Sequence, residues 1–276
     1  MPHITVDHDG TAVELFYEDQ GAGRPVVLVH GYPLDRRGWH RQMSPLLAAG
    51  HRVIAYDRRG FGRSSHDGPC YDYDILAADL DALLTELDLT DSALVGHSSG
   101  TGDITRYLSV YGSARVSRAA FLSGLGPSLL RTAENPQGIE LAAFDALISL
   151  ARRDLRAFFT TLRGDYFNSD ENLGSRIAVD AADRFVDIAT SSSSRAAVAV
   201  IPTWITDFRA DLASLDLPLL IVHGAHDRLL PPDATSRPLH ELLPQAAYHE
   251  VPGAPHGLLW THADEVNRIL LDFLRH

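Results

Sequence analysis

Four short, almost wholly apolar runs recur in the first half of the chain, at residues 26–30, 52–57, 92–97 and 118–123. Runs of this kind lack the alternation of a half-exposed strand and predict strands buried on both faces, as in a parallel sheet. Between them lie stretches with helical spacing. Residues 39–49 form one and stop at Gly50. Residues 73–87 form a second, with Ile75, Leu76, Leu80, Leu83, Leu84 and Leu87 on one face, and 101–111 form a third. Strand and helix alternate in this way up to about residue 123, which predicts βαβ units in a doubly wound, mostly parallel sheet. The pattern then changes. Residues 128–210 predict helices only, at 139–150, 154–167, 175–189 and 196–204, with Ser191 to Ser194 as a loop. A strand returns at 217–223, followed by a helix near 234–243, a strand at 246–251 and a helix at 262–274. At the start, residues 3–18 alternate around Asp9-Gly10 and predict a β-hairpin. The expected organisation is an α/β core of residues 1–127 and 211–276, with a helical cap of residues 128–210 inserted in it.

The third apolar run leads directly into Gly96-His97-Ser98-Ser99-Gly100. This is the G-x-S-x-G pattern of a nucleophile elbow, a strand-to-helix turn that lifts its central serine above the sheet. Alone the pattern is weak, because Gly and Ser are common in turns. A serine nucleophile also needs a general base and a carboxylate to orient that base. Of 14 histidines, His256 has the best context. It lies in Gly253-Ala-Pro-His-Gly257, between the last strand and the last helix. His223 and His30 end strands and read as packed or bracing residues; His97 is expected to point into the packing behind the elbow. Asp227 follows the returning strand, where sites form in parallel sheets. Asp207 and Asp211 precede that strand and rank below it. The order Ser98, Asp227, His256 is that of α/β-hydrolase triads. The two donors for an oxyanion are expected to be the backbone N–H groups of Ser99 and of Tyr32, in the loop after the first parallel strand.

Composition narrows the partners. Lys plus Arg is 24 and Asp plus Glu is 36, a formal charge of −12. Such a chain is a poor ligand for nucleic acid or an anionic membrane, so the expected partner is a small-molecule substrate. No phosphate-binding glycine motif and no metal-ligand spacing occurs, so no cofactor and no metal are expected. Arg58, Arg59 and Arg63 read as a solvated structural turn. The single cysteine, Cys70, cannot form an intramolecular disulfide and has no motif around it. No signal peptide or membrane span is apparent, so a cytoplasmic location is the expectation.

With those residues placed, the chain resembles the cofactor-free, non-haem bacterial haloperoxidases, a group that also includes perhydrolases, aryl esterases and a γ-lactamase. The likeness rests on Tyr17-Glu-Asp19, Val29-His-Gly-Tyr-Pro-Leu34, Tyr56-Asp-Arg-Arg-Gly-Phe-Gly62, Gly100-Thr-Gly102, Asp170-Glu-Asn-Leu-Gly-Ser-Arg176, Thr206-Asp-Phe-Arg-Ala-Asp211 and Gly253-Ala-Pro-His-Gly-Leu-Leu-Trp-Thr-His262. The resemblance implies an α/β-hydrolase fold and a triad at Ser98, Asp227 and His256. It also implies oxyanion donors at Tyr32 and Ser99, no cofactor, and a homo-oligomer. It implies hydrolysis of small esters or a lactam through an acyl-serine, with peracid formation when hydrogen peroxide replaces water. A protein that kept the pocket without turnover is the reading from another class. Members of the group usually carry Phe and Met where this chain has His97 and Ser99. The change at residue 99 predicts a smaller, more polar wall for the acyl pocket. Trp204, Phe158, Phe159 and Phe144 are candidates to line that pocket, with core packing as the competing role.

Overall fold

The computed structural model describes residues 2–8, 10–66 and 70–275. Eight strands form one sheet: β1 (His3–His8), β2 (Thr11–Gln20), β3 (Pro25–Val29), β4 (Arg52–Tyr56), β5 (Ser92–His97), β6 (Val116–Leu122), β7 (Leu219–Gly224) and β8 (Ala247–Val251). Their spatial order is β1-β2-β4-β3-β5-β6-β7-β8. The β1/β2 and β2/β4 pairs are antiparallel, and the remaining pairs are parallel. The expected hairpin is therefore present, although Asp9 in its turn lies outside the described residues.

The apolar runs have a direct explanation. Val26 and Leu28 of β3 belong to one hydrophobic cluster, whereas Val27 and Val29 belong to another. Successive strand residues point to opposite faces, and both faces here are covered. The helices that cover them are α1 (His40–Ala48), α2 (Tyr73–Glu86) and α3 (Gly100–Tyr111) from the first half, with α10 (Ser236–Leu242), α11 (Leu258–Thr261) and α12 (Ala263–Arg275) from the end. In α2 the buried positions Tyr73, Leu76, Ala77, Leu80, Leu83 and Leu84 follow helical spacing, and Asp72 caps the helix by accepting the Ile75 N–H at 2.9 Å.

Between β6 and β7 the chain forms α4 (Leu141–Arg153), α5 (Leu155–Phe167), α6 (Ser169–Asn172), α7 (Val179–Thr190), α8 (Ser194–Ala199) and α9 (Arg209–Leu212), with a 3₁₀ turn at Ile201–Ile205. Two hydrogen bonds tie the end of α5 to loops of the core. Gly257 N–H donates to the Tyr166 carbonyl at 2.7 Å, and the Asn168 side-chain amide donates to the His226 carbonyl at 2.8 Å.

The loop at residues 58–63 corrects an expectation. Arg58 and Arg59 are buried, not solvated. Arg58 pairs with Asp103 through two 2.7 Å contacts, and Arg59 pairs with Asp79 at 2.5 Å. Each buried guanidinium is thus matched by a buried carboxylate, which burial of a charge requires. Arg63 remains exposed, with its guanidinium over the Phe16 ring. Cys70 is an exposed thiol. Among the described residues no helix is long and apolar enough to cross a membrane.

Candidate active site

The parallel strands all end on one edge of the sheet, and the loops there carry the residues singled out by sequence. Order reverses beside β3, which lies between β4 and β5. A crevice opens at such a switch point. The β3 loop and the β5 turn meet there, with the Tyr32 N–H on Ser99 Oγ at 3.0 Å.

Ser98 follows β5 with φ of 52°, a left-handed conformation that costs a non-glycine residue on the order of 1–3 kcal/mol. The glycines on either side make the turn feasible. A Cβ on Gly100 would lie 2.4 Å from the Val29 carbonyl oxygen, and one on Gly96 would lie 2.8 Å from Ile104. The turn then enters α3 directly, with Ser99 at its N-cap position. The sharp strand-to-helix geometry expected from Gly96 to Gly100 is present.

Asp227 is buried in the loop after β7 and is fully engaged. Its Oδ1 accepts the Leu229 and Leu230 N–H groups at 3.0 and 2.8 Å. Its Oδ2 lies 2.8 Å from His256 Nδ1 and 3.3 Å from His223 Nε2. Burial alone would raise the carboxyl pKa. The pull of His256 and the contacts with His223 and His256 outweigh burial and hold Asp227 well below the usual carboxylate range. With Nδ1–H donating to Asp227, Nε2 of His256 is left as the acceptor. This is the tautomer that a general base needs.

The His256 loop is held from two sides. On one side is the bond from Gly257 to Tyr166, whose ring stacks edge-on against His256 at 5.2 Å. On the other, the Trp260 indole donates to the Gly38 carbonyl at 2.8 Å and Gln42 donates to the Leu259 carbonyl at 3.0 Å. His97 does lie in the packing behind the elbow, and that packing includes His256 itself. The rings are 5.0 Å apart, and His97 Nε2 contacts the His256 carbonyl at 3.2 Å. Burial pushes His97 down to about 3, so it is a neutral donor there. His30 braces its loop as expected: Nε2 accepts the Arg58 N–H at 2.9 Å and Nδ1 contacts the Gly31 carbonyl at 3.1 Å. Asp207 and Asp211 pair with Arg209 and Arg106, away from this cluster.

Ser98 and His256 line one cavity of about 100 Å³, together with Tyr32 and Trp204. No direct hydrogen bond joins their side chains; both face the space between them. Every other lining residue is Leu, Ile or Phe, among them Leu125, Leu129, Phe144, Leu147 and Leu162. Phe144 and Trp204 therefore sit where a pocket wall was expected. Phe158 does not: it is buried against the Tyr32 ring and Phe159. Among the described residues no group of three or more His, Cys, Asp or Glu could hold a metal ion.

Residue 99 does not form the more polar pocket wall expected of it. Its hydroxyl does not line the cavity. Ser99 Oγ accepts the Tyr32 N–H at 3.0 Å and an N–H of Arg58 at 3.0 Å. The sequence also did not distinguish His223 as a second imidazole on Asp227. Its position four residues before Asp227 in His-Gly-Ala-His-Asp is the only available signal, and strand periodicity cannot read it.

Comparison with known proteins agrees with this fold. A family model described as alpha/beta hydrolase fold matches residues 24–263. A Synechocystis sp. protein assigned as a non-haem chloroperoxidase is 45% identical over 100% of both chains. The bifunctional esterase/perhydrolase DCH of Acinetobacter calcoaceticus is 30% identical, again over 100% of each. Among solved structures, a bromoperoxidase from Bacillus anthracis superposes with a TM-score of 0.95 at 36% identity, covering 100% of both chains. The chain belongs to the α/β-hydrolase fold family and, within it, to the non-haem haloperoxidases.

Proposed function

We propose that the protein is a serine hydrolase of small, uncharged carboxylic esters, with Ser98 as nucleophile, His256 as general acid and base, and Asp227 as the group that orients it. The observation that carries this reading is the 2.8 Å contact between His256 Nδ1 and Asp227, beside a strained Ser98 on the same apolar cavity. Ser98 Oγ attacks the ester carbonyl while its proton passes to His256 Nε2. The tetrahedral oxyanion is held by the N–H groups of Ser99 and Tyr32. Collapse expels the alcohol, which takes the proton from His256. Water, deprotonated by the same imidazole, then releases the acid and restores Ser98. Leu and Phe side chains of residues 128–210, read as a cap, favour apolar acyl groups over charged ones.

Hydrogen peroxide in place of water would release a peracid from the same acyl-serine. The full-length likeness to an esterase/perhydrolase supports this as a side activity. No cofactor enters either route. The working form we propose is a cytoplasmic homo-oligomer, in keeping with the family likeness. Ser98→Ala is expected to lower turnover of an aryl acetate by at least about 10³-fold while circular dichroism stays unchanged. Unchanged turnover would remove Ser98 from the reaction and leave a binding role.

A further inference from the structure

This inference rests on the reading above, in which the Tyr32 N–H is an oxyanion donor. In the structure that N–H already has a partner. Ser99 Oγ accepts it at 3.0 Å. The same oxygen accepts Arg58 Nη1 at 3.0 Å, and Arg58 is fixed by two 2.7 Å bonds to Asp103, with all three side chains buried. The hydroxyl oxygen is therefore anchored from behind by a charged donor. The backbone N–H of Ser99, the other proposed donor, has no hydrogen bond among the described residues.

Oxyanion stabilisation depends on donors that are already turned toward the developing charge. A donor engaged by a neighbouring hydroxyl gives part of its strength to that oxygen until it is released. The β3 loop does not need the Ser99 bond to keep its place. Leu34 N–H donates to the Gly31 carbonyl at 3.0 Å and the Tyr32 hydroxyl donates to the Ala197 carbonyl at 2.8 Å. Gly31 is packed so closely that a Cβ there would lie 2.7 Å from the Ser98 Cβ.

We infer that the Ser99 hydroxyl is a positioning residue that draws the Tyr32 N–H away from the oxyanion, so that residue 99 sets the rate through a competing hydrogen bond and not through pocket size. Both acylation and deacylation pass through an oxyanion, so kcat reports the effect whichever step limits turnover. The full chain is assayed with an aryl acetate. Removing one net hydrogen bond's worth of competition is expected to make kcat roughly three- to tenfold higher in Ser99→Ala than in wild type, with KM within about twofold. Ser99→Thr keeps the hydroxyl and is expected to lack the gain. Ser99→Cys, a weaker acceptor of similar size, gives a smaller gain in the same direction and serves if Ser99→Ala does not fold. A kcat at or below wild type in folded Ser99→Ala, or an equal gain in Ser99→Thr, overturns the inference. A fluorophosphonate probe separates the two readings. Labelling at Ser98 in wild type without a gain in Ser99→Ala removes the role of Ser99 alone, whereas no labelling at Ser98 removes the hydrolase reading with it.

Discussion

The loops at the sheet edge and the helices of residues 128–210 contribute differently to one cavity: the loops bring its reactive polar side chains beside Leu125, Leu229 and Leu230, and the helices bring apolar walls alone. The edge loops supply Ser98, Asp227 and His256. Asp227 accepts the Leu229 and Leu230 N–H groups and the His256 Nδ1–H, and the His256 loop is pinned by a backbone bond on one side and by the Trp260 and Gln42 side chains on the other. The helices supply Phe144, Leu147 and Leu162, which meet the cavity through dispersion and shape only. Polar groups in fixed hydrogen-bond geometry tolerate little change, because a buried donor or acceptor left without its partner costs its full desolvation. Apolar walls exchange one shape for another at lower cost. The contrast implies that chemistry is set at the sheet edge and selectivity by the helices.

That contrast can be broken at several points. The largest effect is expected from Asp227→Asn, which presents the wrong tautomer of His256; kcat for an aryl acetate should fall on the order of 10³–10⁴-fold with the fold intact. Next is the buried pair beneath the elbow. Arg58→Met leaves Asp103 buried without its partner and should cost about 3–5 kcal/mol in urea unfolding, whereas adding Asp103→Leu should restore most of that stability. On the helical side, Leu147→Ala enlarges the cavity. It should shift the ratio of kcat/KM for a butyrate over an acetate ester upward by roughly tenfold, with little change for acetate itself. The smallest effect concerns pH. Burial holds His97 and His30 at about 3, below the ordinary 6.5. The unfolded chain therefore takes up protons first, so the stability these residues give is present above 6.5 and is lost as pH falls toward 3. Asp57 and Asp103, raised to about 6 by burial, act in the opposite sense between 3.8 and 6. Thermal melts of His97→Phe isolate one histidine and should lose roughly 0.5–1 kcal/mol less stability than wild type between pH 7 and pH 6.

The sheet was legible in the sequence because β3 through β7 bury both faces, and a run such as Val26 to Val29 can satisfy nothing else. The elbow was legible because only small residues fit at 96 and 100. Asp227 and His256 could be placed because loops at strand ends carry sites in parallel sheets. What stayed hidden depends on contacts distant in sequence. Arg58 and Asp103 are 45 positions apart, and Tyr32 and Ser99 are 67 apart. A loop with three arginines looks solvated until the topology brings a buried carboxylate under it. Phe158 and Phe144 have similar local patterns, and only the packing of α4 and α5 turns one toward Tyr32 and the other toward the cavity.

Rapid-quench mass spectrometry during aryl acetate turnover tests the central claim most directly. An acetyl group is expected on the peptide that carries Ser98, forming and decaying at rates consistent with kcat, and absent in Ser98→Ala. Turnover with no acyl group on that peptide, or the same adduct and rate in Ser98→Ala, would contradict it.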